Sequence, residues 1–522
     1  MKHYSVTFKP DGKKVSVHAG CNLVEAAGLA GIVLNTVCGR KGVCGRCSVF
    51  LEPQHQAVLA CQYHIESDIT VFIPRNSRFA EHKILTEGAA RNSTITPDVY
   101  KKYFAEVNGR AILGLAIDIG TTTVVVKLVD MKTGDVLTTA AGLNSQTKFG
   151  DDVISRIAYA SDGEKLGELN KLIVDCINGL IAECCATAKA GPADIYETCI
   201  VGNTTMNHIF LRLPISQLGQ APYNAYSLDA RDLSPAEIGL KINPKGNVHC
   251  VANIAGFVGA DTTAVAVSAE FDKAGQMSLA IDIGTNGEVV LGTKDNLYAA
   301  SCAAGPAFEG ARITCGSHAV DGAIESVVLI DDELDLEVIG GGEPRSICGS
   351  GLIDAVAVLL DMGVIDSTGR FTNHNTIGKV GGAPAFILFR DDKGEPCVYL
   401  TQKDIREVQL AKAAISTGIK LLEKRLSIID ADIKNVFLAG AFGNYIRPQS
   451  AMRIGMMPNV PIEIIHSIGN AASSGAQLIL LSRDYRDLAT KLAKKIQYVE
   501  IAHDPQFETT FADSITFPLL NQ

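Results

Sequence analysis

The heptapeptide LAIDIGT occurs twice in this chain, as Leu115–Thr121 and as Leu279–Thr285. The first copy sits in GLAIDIGTTTVVVKLVD and the second in SLAIDIGTNGEVVLGTK. In each, an apolar strand ends in Asp, the chain turns on Gly-Thr, and a β-rich run follows, so each reads as a hairpin with a carboxylate and exposed amides at its turn. Glycine lets the backbone approach an anion closely, and the Thr hydroxyl and N–H groups can donate to phosphate oxygens. Gly120, Thr121 and Thr122 in the first turn, and Gly284, Thr285 and Asn286 in the second, are the expected phosphate contacts. Asp118 and Asp282 cannot face phosphate without repulsion. They make sense as ligands, through water, of a Mg²⁺ ion that bridges the phosphates. Two such hairpins on two related lobes would grip opposite sides of one polyphosphate.

The paired D-x-G-T turns resemble the two phosphate motifs of the superfamily that joins acetate and sugar kinases, Hsp70 and actin. That resemblance calls for a third, glycine-rich turn after a strand, to hold adenosine. NVFLAGAFGNYI supplies it, with strand 435–438 followed by Gly440, Ala441 and Gly443. GNAASSGA, at 469–476, fits the last connecting motif. The resemblance implies an α/β ATPase domain over residues 113–522. It would hold duplicated RNase H-like lobes, lobe I at about 113–270 and lobe II at about 271–480, and a C-terminal segment at 481–522. No G-x-x-x-x-G-K-[ST] occurs, and no G-x-G-x-x-G follows a strand, so neither a P-loop nor a dinucleotide-binding fold is indicated.

Other stretches are open to two readings. In VGNTTMNHIF the Asn-Thr-Thr after a strand either lines the cleft or caps a helix. In NIAGFVGADTTAVAVSAE, Asp261 opens a helix after a glycine turn, where related kinases place the carboxylate that positions the attacking nucleophile; capping of that helix is the alternative. SCAAGPAFEGARITCGS reads as a tight loop near the second phosphate turn. The 11 histidines form no H-x3-H or HExxH arrangement, so no zinc site is indicated.

At 522 residues and 47% hydrophobic content the chain can build several cores. A net charge of −10 without a basic stripe argues against a nucleic-acid partner. No apolar run reaches the ~18 residues of a membrane span, and the start lacks the apolar region of a signal peptide. A cytoplasmic location is expected. A protein of that compartment should not carry a disulfide framework, yet there are 14 cysteines. Five fall within the first 61 residues and nine are scattered, mostly in apolar segments where they read as small buried hydrophobes.

Four of the first five form Cys38-x5-Cys44-x2-Cys47-x13-Cys61. Two alternating strands and a short helix precede them. This order and spacing resemble the plant-type ferredoxins, with one extra residue in the first gap and a shorter last gap, and imply a [2Fe–2S] cluster in an α+β β-grasp module at 1–75. Gly39, Gly42 and Gly45 let the loop wrap closely, with N–H groups turned toward the negative sulfurs. A zinc knuckle would need paired C-x2-C units, and only one is present. Cys21 lies outside the pattern and reads as core. Residues 76–112 lose regularity and read as a linker, with a short helix around 98–106.

A cluster-binding module joined to an ATP clamp suggests ATP-driven electron transfer. The whole arrangement, with NSQTKFGDDVISRI, GPAFEGARI, LAGAFGN and the tail YVEIAHDPQFETTFADSITFP, resembles the reductive activators of corrinoid-dependent methyltransferases and corrinoid iron–sulfur proteins. The resemblance implies reduction of a cob(II) corrinoid to cob(I) at the expense of ATP. It further implies a corrinoid protein or methyltransferase as partner, a low-potential electron donor and a homodimer. Two departures are expected: an additional middle domain is missing, and the tail has no C-x2-C-x2-C-x3-C pair. Two other readings remain open, a metabolite kinase with a regulatory ferredoxin domain and an activator of a radical dehydratase.

Overall fold

The computed structural model of the chain describes residues 3–10, 12–30, 32, 34, 47–54, 56–74, 77, 96–107, 109–150, 152–160, 162–284, 286–310, 312–330, 333–440 and 445–519. Two compact units form, one of Met1–Leu85 with Pro461–Ile464 and the other of Thr86–Val460 with Ile465–Gln522. Among the described residues no helix is long and apolar enough to cross a membrane.

The first unit is a five-stranded sheet of β1 (His3–Lys9), β2 (Lys13–His18), β3 (Ser48–Glu52), β4 (Gln56–Leu59) and β5 (Ile69–Phe72), in the order β2-β1-β5-β3-β4. β1 and β5 run parallel at its centre, and the other neighbours are antiparallel. Alternation in HYSVTFK sends Val6 and Phe8 into the core, both 0% exposed, each contributing about 1.5–3 kcal/mol. Helix Leu23–Leu29 covers this face. Its entry is set by Asn22, whose Oδ1 accepts from Val24 N at 2.9 Å while Nδ2 donates to Cys61 O at 3.1 Å. Cys21 is buried in the same core, as its place outside the spacing suggests.

The second unit contains the duplication. Its first sheet comprises β6 (Leu113–Ile119), β7 (Thr123–Asp130), β8 (Val136–Leu143), β9 (Ile195–Gly202), β10 (Arg231–Leu233) and β11 (Asn247–Cys250), in the order β10-β11-β9-β6-β7-β8. β12 (Ser278–Ile283), β13 (Gly287–Thr293) and β14 (Asn296–Cys302) begin the second lobe. Two three-stranded sheets follow: β15 (Ala323–Ile330), β16 (Glu333–Val338) and β17 (Ser346–Ile347), then β18 (Ile377–Val380), β19 (Ala383–Arg390) and β20 (Pro396–Thr401). β21 (Asn435–Ala439), β22 (Ile465–Gly469) and β23 (Gln497–Tyr498) complete the second large sheet, in the order β22-β21-β12-β13-β14-β23. In both large sheets the repeated heptapeptide is a central strand, antiparallel to its hairpin partner on one side and parallel to a later strand on the other.

A helix follows the outer parallel strand of each lobe, Ala260–Ser268 after β11 and Ala471–Leu481 after β22. The two pack against one another, with Gly475 at the crossing: a Cβ there would stand 2.1 Å from Ala264 O. Small residues on both helices therefore set how closely the lobes approach. Long helices brace the other faces. Gly163–Ala188 is capped by Asp162, which accepts from Lys165 N at 2.9 Å, and Gln402–Leu426 is capped by a Thr401–Asp404 box.

The described end of the expected linker belongs to this second unit. Residues 99–107 form a short 3-10 turn and one helical turn, and Val99, Tyr103, Val107 and Ile112 join the core between the lobes. Tyr103 donates its hydroxyl to the buried Glu197, which Lys102 also reaches at 2.7 Å and Arg486 at 2.9 Å. A carboxylate at 0% exposure needs such partners, so this stretch is held rather than free.

Candidate functional site

Asp118 and Asp282 occupy the same position in the two copies, one residue before the end of the central strand. Asp261 stands second in helix Ala260–Ser268. Gly259 is the N-cap, so Asp261 is not the cap; its Oδ1 instead accepts from Thr262 N at 2.7 Å. All three carboxylates share one electrostatic environment. Burial pushes Asp118 up to about 7, the negative Asp261 adds to the rise, and Asn470 and Lys127 oppose it. Burial pushes Asp282 up to about 7 as well, with Asp261 and Asp118 contributing. Asp261 is raised by burial to about 6 against its bonds to Thr262.

A fourth carboxylate joins them. Glu288 lies directly across the second hairpin from Asp282, and burial, Asp261 and Asp282 together hold it well above the usual range. Ser301 Oγ donates to it at 3.4 Å. Sequence reasoning missed Glu288, although the hairpin register that pairs it with Asp282 was available once the turn was recognised. The four groups come from both lobes and remain partly open to solvent, so a ligand can reach them. Acids that raise one another in this way favour a cation between them. Among the described residues no three His, Cys, Asp or Glu side chains are close enough to hold a metal directly. The oxygen donor set fits a hydrated Mg²⁺ bound through water.

The turns lie beside these acids. Gly120 N donates to Thr123 O at 3.0 Å, closing the first, and Gly284 N donates to Asn286 O at 3.1 Å, closing the second; Thr285 lies outside the described residues. Gly440, at φ +90°, begins the third motif, and a Cβ there would stand 2.7 Å from Asp282 Oδ1. Only glycine fits, so the third motif abuts the acid of the second. Ala441 and Gly443 lie outside the described residues. Thr122 precedes β7, with its carbonyl accepting from Asn144 N at 2.7 Å.

The two-way readings resolve. Asn203 both caps helix Thr204–Phe210, accepting from Met206 N at 2.9 Å, and donates to Thr121 Oγ1 at 2.9 Å. Asn470 caps the helix of the last motif and hydrogen-bonds Asp118. The SCAAGP stretch is a tight loop, a 3-10 turn at Pro306–Glu309 between two left-handed glycines. Most scattered cysteines are buried, with Cys397 exposed.

In the first unit, Cys47 and Cys61 are both buried. The β3–β4 hairpin brings their backbones together, and Ala60 N donates to Cys47 O at 3.0 Å. Two thiols from adjacent chain segments suit an iron–sulfur centre. Cys38 and Cys44 lie outside the described residues.

Comparison with known proteins agrees with this architecture. Residues 276–522 match the family model for the C-terminal domain of RACo, the ASKHA domain, and residues 113–274 match the RACo middle region. The second match overturns the expectation that a middle domain is missing: the segment taken as lobe I is that region, and its sheet repeats the topology of the second lobe. The chain is 36% identical to the corrinoid activation enzyme RamQ of Eubacterium limosum, over 93% of this chain and 94% of the relative. It is 27% identical to the [Co(II) methylated amine-specific corrinoid protein] reductase of Methanosarcina barkeri, over 73% of this chain and 72% of the relative. A solved structure of a reductive activator for corrinoid, iron-sulfur protein superposes with a TM-score of 0.74 at 31% identity, covering 99% of this chain and 98% of that one. The actin, Hsp70 and sugar kinase-like fold, the duplicated lobes and the near full-length match to RamQ lead to one assignment: the chain belongs to the RACo family of reductive corrinoid activators.

Proposed function

We propose that this protein uses ATP to drive the reduction of an inactive cob(II) corrinoid, held by a corrinoid protein or methyltransferase, to cob(I). The observation that carries this reading is the meeting of Asp118, Asp282 and Asp261, from both lobes, in a chain nearly coextensive with a corrinoid activation enzyme. Gly120–Thr122 and Gly284–Asn286 would contact the phosphates, and Gly440, Ala441 and Gly443 the adenosine. Asp118 and Asp282 would hold hydrated Mg²⁺, which when bound neutralises phosphate charge. Asp261, raised by burial beside the other acids, would position the attacking water, the role of the carboxylate that related kinases place there.

Residues 1–75 form the electron-carrying module in this account, with Cys38, Cys44, Cys47 and Cys61 as ligands of a [2Fe–2S] cluster. When bound, that cluster would supply a one-electron centre, at about −400 mV in plant-type ferredoxins. Residues 76–112 connect it to the clamp at 113–522. Each further ~59 mV of unfavourable gap costs about tenfold in the one-electron equilibrium, so nucleotide must bias a two-state complex rather than touch the electron. A separate low-potential donor, a homodimer and a cytoplasmic setting complete the proposal. The test is ATPase activity with and without a cob(II) corrinoid protein. Stimulation supports coupling, and phosphorylation of a small metabolite instead would favour the kinase reading.

A further inference from the structure

We propose that Arg156 is a positioning residue for the polyphosphate: with Asn144 and Asn203, its buried guanidinium holds the Gly120–Thr122 turn as a ready-made anion receptor. The inference rests on the reading of the clamp as a nucleotide site. Arg156 lies on helix Val153–Tyr159 and is 0% exposed. Its Nη2 donates to Thr121 O at 2.6 Å and its Nε to Gly150 O at 2.9 Å. Nη1 donates to Gln146 Oε1 at 3.1 Å and approaches Met206 Sδ at 3.3 Å. A second brace comes from the end of β8, where Asn144 Nδ2 donates to Gly120 O at 2.9 Å and Asn144 N to Thr122 O at 2.7 Å. Asn203, at the end of β9, donates to Thr121 Oγ1.

Three successive carbonyls of the turn are thus engaged by donors from the body of the lobe. In a trans peptide the N–H points opposite to the preceding C=O. With the Gly120 and Thr121 carbonyls drawn inward, the N–H groups of Thr121 and Thr122 point away from the bracing side chains. The turn therefore presents donors where a phosphate would sit, and a fixed positive charge stands behind it. Because this geometry is set by a planar fork serving several acceptors, a lysine ammonium cannot reproduce it.

The experiment measures dissociation constants for Mg·ATP and for adenosine on the full-length protein, together with melting temperature. Arg156→Met and Arg156→Lys should each weaken ATP binding about ten- to a hundredfold, as expected for lost hydrogen bonds that serve a charged ligand. Lys should be the milder, and adenosine affinity should hold within about twofold. Asn203→Ser keeps a capping oxygen but loses the reach to Thr121; it should weaken ATP binding by about three- to tenfold and again spare adenosine. Equal losses for ATP and adenosine, or unchanged ATP affinity in a folded Arg156 variant, would overturn the inference alone. If both Arg156 variants fail to fold, unchanged ATP affinity in Asn203→Ser overturns it. No ATP binding by the unaltered protein would overturn the nucleotide reading and this inference with it.

Discussion

Four acids drawn from two lobes are costly to ionise together, and their titration is therefore linked to stability. Asp118 and Asp282 are pushed up to about 7 and Asp261 to about 6, all above the ~3.9 of an unfolded aspartate. The folded state thus keeps protons that the unfolded chain releases, so these groups lower stability as pH rises from about 4 to about 7. In chelator and without nucleotide, the melting temperature of Asp118→Asn should gain on that of the unaltered chain from pH 5 to pH 8. A melting temperature of Asp118→Asn that falls relative to the unaltered chain over this interval would contradict the shared environment. With Mg·ATP the same variant, and Asp282→Asn, should each lose more than about a hundredfold in hydrolysis, the loss typical of removing a partner of transition-state charge. Additive halves would instead mean two separate sites. At the cysteines, Cys44→Ala or Cys47→Ala should abolish visible absorbance and labile sulfide, whereas Cys21→Ala should keep both. Stoichiometric zinc without sulfide would defeat the cluster assignment.

At the scale of elements, the hairpins were legible because strand, acid and turn are contiguous in sequence and recur. Glu288 and Arg156 were not, for a physical reason. A single charged residue in a strand or short helix reads as solvent-facing, and only tertiary packing shows that Arg156 is enclosed behind a turn and that Glu288 faces the other acids. The linker misled similarly: Tyr103 and Lys102 lie in a polar stretch without periodicity, yet their partner Glu197 is distant in sequence. Asn247 donates to the same carboxylate at 2.6 Å, and Arg486 joins from helix Arg483–Lys495. Glu197→Ala leaves these donors facing one another and should cost about 3–5 kcal/mol. For the same reason a fragment of residues 96–522 should melt well above one of 113–522. Equal melting temperatures would show the anchor to be inert.

Over the whole molecule, the repeated heptapeptide marked the region that matches the family models, residues 113–274 and 276–522. The identity of lobe I as the family's middle region was not legible, because its sheet repeats the topology of lobe II and only comparison with relatives separates the two. If the modules cooperate through the linker, fragments 1–75 and 96–522 should each retain their own chemistry, cluster reduction and ATP hydrolysis. Mixed at micromolar concentration they should recover little corrinoid reduction, since a tether raises local concentration to about the millimolar range. Full recovery on mixing would show that covalent linkage is unnecessary. The central claim is that nucleotide hydrolysis drives the electron. Its most direct measurement is optical, following cob(I) formation on a corrinoid protein anaerobically with excess reductant. The reaction is run with ATP, without nucleotide, and with a non-hydrolysable analogue. Substantial cob(I) with ATP alone among the three is expected; equal cob(I) yields in all three would contradict the account.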